Sequence, residues 1–205
     1  MLTTPTLFRV EHPQRREVER LLADGLLEPL LPGVVGPPGS GADPDLRLAA
    51  AVLALPERVR SRGTLAEAAA AWVWCGGPPP AVMDVAVPPR RSLPTVPAVA
   101  VHERRMPAVD VVVLAAVGGV VPLTTPTRTL VDLLRLLPPG PAPWAVSALV
   151  GLAGVTADSV SACLAGMPRA RGVTRARTLA SALPLPRAAP PGRPEDGGVS
   201  RSACR

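Results

Sequence analysis

Few side chains in this sequence have both the type and the spacing to do chemistry. His102 is followed directly by Glu103 at the end of an apolar run, where an imidazole could take a proton. No nucleophile lies near it in sequence, so it reads first as a surface or structural residue. Asp84, Asp110 and Asp132 fall on separate segments and are not read as Mg²⁺ ligands. Cys75, Cys163 and Cys204 are odd in number, and no two stand at metal-ligand spacing. With only His12 and His102 beside them, no structural zinc site is expected. The cysteines read as small thiols of a reducing compartment. No catalytic residue, metal ligand or cofactor site is assigned.

The arginines are more suggestive. Arg15, Arg16 and Arg20 cluster near the start, Arg90-Arg91 and Arg104-Arg105 each follow a strand-like run, and Arg169, Arg171, Arg175 and Arg177 gather near the end. A guanidinium makes bidentate contacts to phosphate and to guanine. The competing reading is a solvated surface in a chain that has no lysine to use instead. All 22 basic residues are Arg, against 16 acids, for a formal net charge of +6. The surplus lies late in the chain: residues 94–183 carry eight Arg and four acids. Such a balance permits nucleic-acid binding without establishing it. The absence of Lys excludes Schiff-base chemistry, a Walker-type phosphate loop and a lysine-containing nuclease site. Aromatic residues are 2% of the chain and Tyr is absent, which excludes base-stacking platforms.

The elements that must position these residues follow from periodicity. Val18, Leu21 and Leu22 form one stripe of an amphipathic helix, with Arg15, Arg16, Glu19 and Arg20 on its other sides and Gly25 at its stop. Residues 26–31 read as a short strand turning at Pro32-Gly33. Helix, strand and turn in that order form the ending of a winged helix-turn-helix unit; the alternative is a helix that merely packs. Residues 36–43 read as a linker. Asp45 is expected to cap a helix reaching Leu55, and Thr64-x-x-Glu67 has capping-box spacing for a helix over 65–74. Strands are expected over 82–87, 99–102, 109–113 and 120–123, with Gly118-Gly119 as a turn. If the first two pair, the couples Arg90-Arg91 and Arg104-Arg105 share one end of a sheet. Thr125-Pro126 opens a helix with Leu130, Leu133, Leu134 and Leu137 on its apolar face. Further helices are expected over 144–152, from Thr156, and over 173–183. Trp72, Trp74 and Trp144 sit in apolar contexts and are expected in the core. The fold class is α/β (α+β): a shortened winged-helix-like N-terminus over residues 1–40, then a small mixed sheet flanked by helices over 41–183. Residues 184–205, rich in Pro, Gly and Arg, read as a disordered tail. No signal peptide is visible, and prolines interrupt the uncharged stretch 136–157, so a soluble, cytoplasmic protein with no membrane partner is expected.

The order of these pieces resembles a family. REVERLLADGLLEPLLPGVV, VMDVAVPPRR, AVAVHERRMPAVDVVV and above all VPLTTPTRTLVDLLRLLP, followed by GVTADSVSACLAG and ARGVTRARTLASAL, are similar to the AbiEi-type antitoxins of type IV toxin–antitoxin, or abortive-infection, systems. The resemblance covers most of residues 14–183. It implies a non-enzymatic transcriptional regulator that binds operator DNA through an N-terminal winged helix and opposes a nucleotidyltransferase-like toxin. The DNA-contact residues it suggests are Arg15, Arg16 and Arg20, with Arg90, Arg91, Arg104 and Arg105 as a second surface. Residues 82–183 are then expected to carry antitoxicity and the first 40 to carry repression. Many relatives continue into a Vsr-type endonuclease domain, which is expected to be missing after PEDGGVSRSACR, as the first helices of a full winged helix are before Arg15. The alternatives are a truncated member or subunit of a Vsr-like endonuclease-associated protein, and an inactive fragment.

Overall fold

The computed structural model describes residues 7–10, 15–91, 93–136, 143–152 and 154–187. Leu137 and residues 188–205, most of the expected tail, lie outside them.

The chain begins with a helix beside a small antiparallel sheet. β1 (Phe8–Arg9), α1 (Arg15–Ala23), β2 (Glu28–Leu31) and β3 (Val34–Gly36) follow in order, and β3 lies between β1 and β2. The turn joining β2 to β3 falls at Pro32-Gly33, with Gly33 at a φ of 75° that a Cβ would oppose. The carboxylate of Glu28 accepts the amides of Gly39 and Gly41 at 3.1 and 2.7 Å, which ties this hairpin to the following loop.

α2 (Pro44–Ala54) is capped by Asp43, whose side chain accepts the amides of Asp45 and Leu46. The expected cap, Asp45, stands instead in the first turn. Pro44 decides this: it lacks an amide and has its φ preset, so it takes the first helical position and puts the cap at Asp43, two residues before the expected one. A short α3 (Glu57–Arg60) follows, then β4 (Thr64–Leu65) and α4 (Glu67–Cys75). The capping box expected from Thr64 and Glu67 does not form. Thr64 pairs in a strand with Ala86, Ala66 holds the cap position with no side-chain bond, and the Glu67 carboxylate is engaged elsewhere.

β5 (Met83–Val87), β6 (Val99–Glu103), β7 (Val111–Ala116) and β8 (Gly119–Thr124) complete a mixed sheet in the order β6-β5-β4-β8-β7. β5 and β6 are parallel, β7 and β8 form an antiparallel hairpin, and two-residue β4 bridges the pairs, antiparallel to β5 and parallel to β8. The strand expected from Val109 starts at Val111, because residues Ala108–Asp110 form a 3₁₀ turn.

α5 (Pro126–Leu136), α6 (Pro143–Val150), α7 (Ala157–Ala165) and α8 (Val173–Ser181) form the helical side of the molecule. Thr125 accepts the amide of Arg128 at 3.3 Å, and Thr156 with Ser159 forms a full capping box on α7. Two hydrophobic clusters result. One joins the sheet, α2 and the β2–β3 hairpin, and includes Leu30, Leu48, Trp72, Val85 and Leu123. The other joins α5 to α8 and includes Leu130, Leu133, Leu149, Val160 and Ala176. α4 is apolar all round and stands between them, giving Trp72 and Val73 to the first and Ala71 to the second. Among the described residues no helix is long and apolar enough to cross a membrane.

Candidate functional site

The three N-terminal arginines share one exposed helix. α1 buries none of its residues, and Arg15, Arg16 and Arg20 stand in solvent. Its apolar stripe, Val18 and Leu22, lines an apolar cleft against Val34 and Val35 of the neighbouring hairpin and is only half covered. Arg15 pairs with Glu19 at 3.0 Å, an exposed i,i+4 contact that holds the arginine weakly.

The second set of arginines divides. β5 and β6 pair in the register Val87↔Glu103, so both couples do leave the sheet from the same end. Arg90, Arg91 and Arg105 are exposed, and Arg90 takes a left-handed φ of 67° in a turn closed by the Arg91 amide on the Pro88 carbonyl. Arg104 turns inward. Its amide prolongs the β5–β6 pairing through Val87, and its Nη1 lies 2.6 Å from Glu67 Oε1. Both atoms are shut off from solvent and neither has a hydrogen bond of acceptable angle, so charge holds the pair more than direction does.

Glu67 reaches this position by an unusual backbone step. The Ala66 amide donates to the Asp84 carbonyl at 2.9 Å, and Glu67 then takes a φ of 49°, a left-handed value rare outside Gly. That turn aims its buried carboxylate over the β5–β6 pair. Asp84 and His102 share the face it meets, because Asp84 pairs with Ala100 and His102 with Ala86 in parallel register. His102 Nε2 lies 2.9 Å from Asp84 Oδ1 and 3.5 Å from Glu67 Oε1. The three residues bring one donor atom each within 4.8 Å of one another, a spacing a divalent cation could bridge. The guanidinium of Arg104 opposes that use, since it already neutralises Glu67 at contact distance.

Beside this group opens a cavity of about 680 Å³. Glu67, His102 and Arg104 form one side, and Arg135, Arg171 and Arg175 the other. Arg135 stands in the last turn of α5, and its Nη1 donates to Asp132 Oδ1 at 2.9 Å while its Nε donates to the Arg171 carbonyl at 3.1 Å. Burial lowers the Arg135 guanidinium from its ordinary range; Asp132 opposes the shift, and Arg128 and Arg104 add to it. Asp132 is pushed up by its own burial, against the pull of Arg128 and Arg135.

Asp84, Asp110 and Asp132 do not converge on one another. Asp110 and Asp132 both hold Arg128, at 2.6 and 2.8 Å, while Asp84 belongs to His102. Asp84 and His102 were findable from strand parity, and the Arg128, Asp132, Arg135 ladder from its i,i+4 and i,i+3 spacing. No sequence signal marks Glu67 as a member of the group, since its spacing from Thr64 points to a cap.

No family model matches the chain, and no curated protein does. Among solved structures it is similar to the RV2827C protein from Mycobacterium tuberculosis, with 23% identity and a TM-score of 0.42. The match covers 84% of this chain and 66% of that one.

Proposed function

We propose that the protein is a DNA-binding regulator of the antitoxin type, with no chemistry of its own. One observation carries the reading: α1 buries nothing and presents Arg15, Arg16 and Arg20 to solvent beside the β2–β3 hairpin. A strand, a helix and a hairpin whose sheet order is β1-β3-β2 suit a reduced winged helix, with the helix meeting a groove and the hairpin lying on the backbone. Arg90, Arg91 and Arg105 offer a second exposed basic surface, from which Arg104 is withdrawn by Glu67. The AbiEi-type resemblance supplies the rest of the reading: operator DNA as partner, and functional opposition to a nucleotidyltransferase-like toxin.

The experiment is anisotropy of labelled duplex from the region upstream of the protein's own gene, titrated over a range of salt. Each phosphate neutralised adds roughly 0.9 to the log–log salt slope, so replacing Arg15, Arg16 and Arg20 by Ala lowers it by up to about 2.7. A wild-type protein that binds no such duplex at low salt sinks the regulator reading.

A further inference from the structure

We propose that the cavity between the end of β6, the last turn of α5 and the start of α8 binds a small phosphorylated ligand, gripped at its terminal phosphate by Arg104, Arg135, Arg171 and Arg175. The proposal does not rest on the DNA reading, because none of these arginines belongs to α1.

Charge is the first ground. Four arginines line the cavity against one lining carboxylate, Glu67, with Asp132 behind it on Arg135. Two of the four are recessed, with side-chain exposures of 5% for Arg135 and 18% for Arg104. Both have lost hydration, each keeps one acid, Glu67 against Arg104 and Asp132 against Arg135, and burial still lowers Arg135, with Arg128 and Arg104 adding to the shift. A doubly charged phosphate between them restores what was lost, through short charge-assisted contacts.

Preorganisation is the second. Arg135 Nε holds the Arg171 carbonyl, which fixes the loop entering α8. Gly172, at a φ of 79°, is the N-cap of α8 and has no side chain to cap it. It lies so close to the end of α5 that a Cβ would be driven into the Arg135 carbonyl oxygen. The N-terminus of α8 therefore opens on the same cavity as the C-terminal end of α5, so the two helix ends offset one another and the arginines set the field.

Size and shape select the ligand. A volume of about 680 Å³ suits a nucleotide-sized molecule. No Phe, Tyr or Trp lines the cavity, and its one ring, His102, is held by Asp84, so the phosphate, not a base, is what is recognised. The recessed positions of Arg104 and Arg135 favour a terminal phosphomonoester, which reaches inward, over a backbone phosphate flanked on both sides by sugars. A cation is disfavoured because the Arg104 guanidinium neutralises Glu67 from within contact distance.

The test is calorimetric titration of the full chain with inorganic phosphate and with adenosine monophosphate. The variants are R171E, R171E/R175E and, as a control on exposed arginines outside the cavity, R169E/R177E. Wild type and control are expected to bind one equivalent of the monophosphate, and R171E/R175E to bind it at least about tenfold more weakly. R171E alone, at an exposed position, is expected to weaken it in the same direction and keeps the result interpretable if the double variant misfolds. Absence of saturable binding by the wild type overturns the proposal, and so does an equal loss in the control, which would mean diffuse attraction. Displacement of the monophosphate by a duplex without terminal phosphates would make this a backbone site and also overturn it. So would Zn²⁺ or Mn²⁺ binding that Glu67→Gln abolishes, if phosphate fails to bind.

Discussion

Arg128 reaches Asp110 and Asp132 together from a side chain only 1% exposed, and Asp132, fully buried, reaches on to Arg135. Such a chain of charges gains little over an apolar core while intact, because burying ions costs nearly what their attraction returns. Breaking it is another matter. Asp132→Asn leaves two guanidiniums buried with one acid between them, and is expected to lower stability by about 3–5 kcal/mol; urea denaturation measures it. A change under about 1 kcal/mol would mean that water enters the site. Cys163 lies against the same network, its Sγ 3.9 Å from Asp110 Oδ1. Burial first, and then the Asp110 carboxylate, push this thiol up to about 12. Its unfolded counterpart loses a proton near ~8.5. Between those values the folded chain holds a proton that the unfolded chain has released, so stability falls as pH rises through the window. Urea midpoints taken from pH 8 to 10.5 are expected to decline, and Cys163→Ala to flatten the decline. An identical slope in the variant would place its cause elsewhere.

At the scale of elements, α5 organises the helical side. Leu130, Leu133 and Leu134 face the second hydrophobic cluster as their periodicity requires, and Leu133 is 1% exposed. Leu133→Ala is expected to cost about 2–5 kcal/mol, read as a drop in the denaturation midpoint; an unchanged midpoint would put a different face of α5 inward. The apolar half of this helix is plain from sequence, and so is its Thr125-Pro126 opening. Its other half is not. Arg128, Asp132 and Arg135 have the spacing of an exposed salt-bridge ladder, yet they are buried, because α7 and α8 close over them and no periodicity encodes that closure. The same distinction governs the cavity. The strands β5 and β6 and the parity of Asp84 and His102 follow from alternation, whereas Glu67 depends on one left-handed φ that a Thr-x-x-Glu pattern argues against. Local rules place the caps of α5 and α7, and they fail at Asp45 and Glu67, where a neighbouring proline and a distant arginine decide.

For the molecule as a whole, β4 matters beyond its two residues. Leu65 pairs with Val85 on one side and Leu123 on the other, so β4 alone joins the β5–β6 pair to the β7–β8 hairpin. Leu65 and Trp72 are each 1% exposed, and both lie before residue 82. A chain reduced to residues 82–183, the part expected from sequence to carry antitoxicity, loses that central strand, α2 of the first hydrophobic cluster, and α4, the wall shared by both clusters. Removing the first 40 residues opens the core as well, since Leu30, Leu31 and Val34 pack in the same cluster as Leu48 and Val52. Neither truncation is a clean test of the proposed division between repression and antitoxicity, because each exposes apolar surface that the full chain buries. Residues 82–183 alone are therefore expected to show no cooperative thermal transition by circular dichroism and a poorly dispersed amide spectrum, while the full chain melts cooperatively. Cooperative unfolding of the fragment would show that β5–β6 and β7–β8 find each other without β4, and would restore truncation as a test of the proposed division. Otherwise the two proposals have to be tested in the full chain, by reversing charge on exposed α1 for the proposed DNA binding and at Arg171, on the rim of the cavity, for the proposed phosphate site.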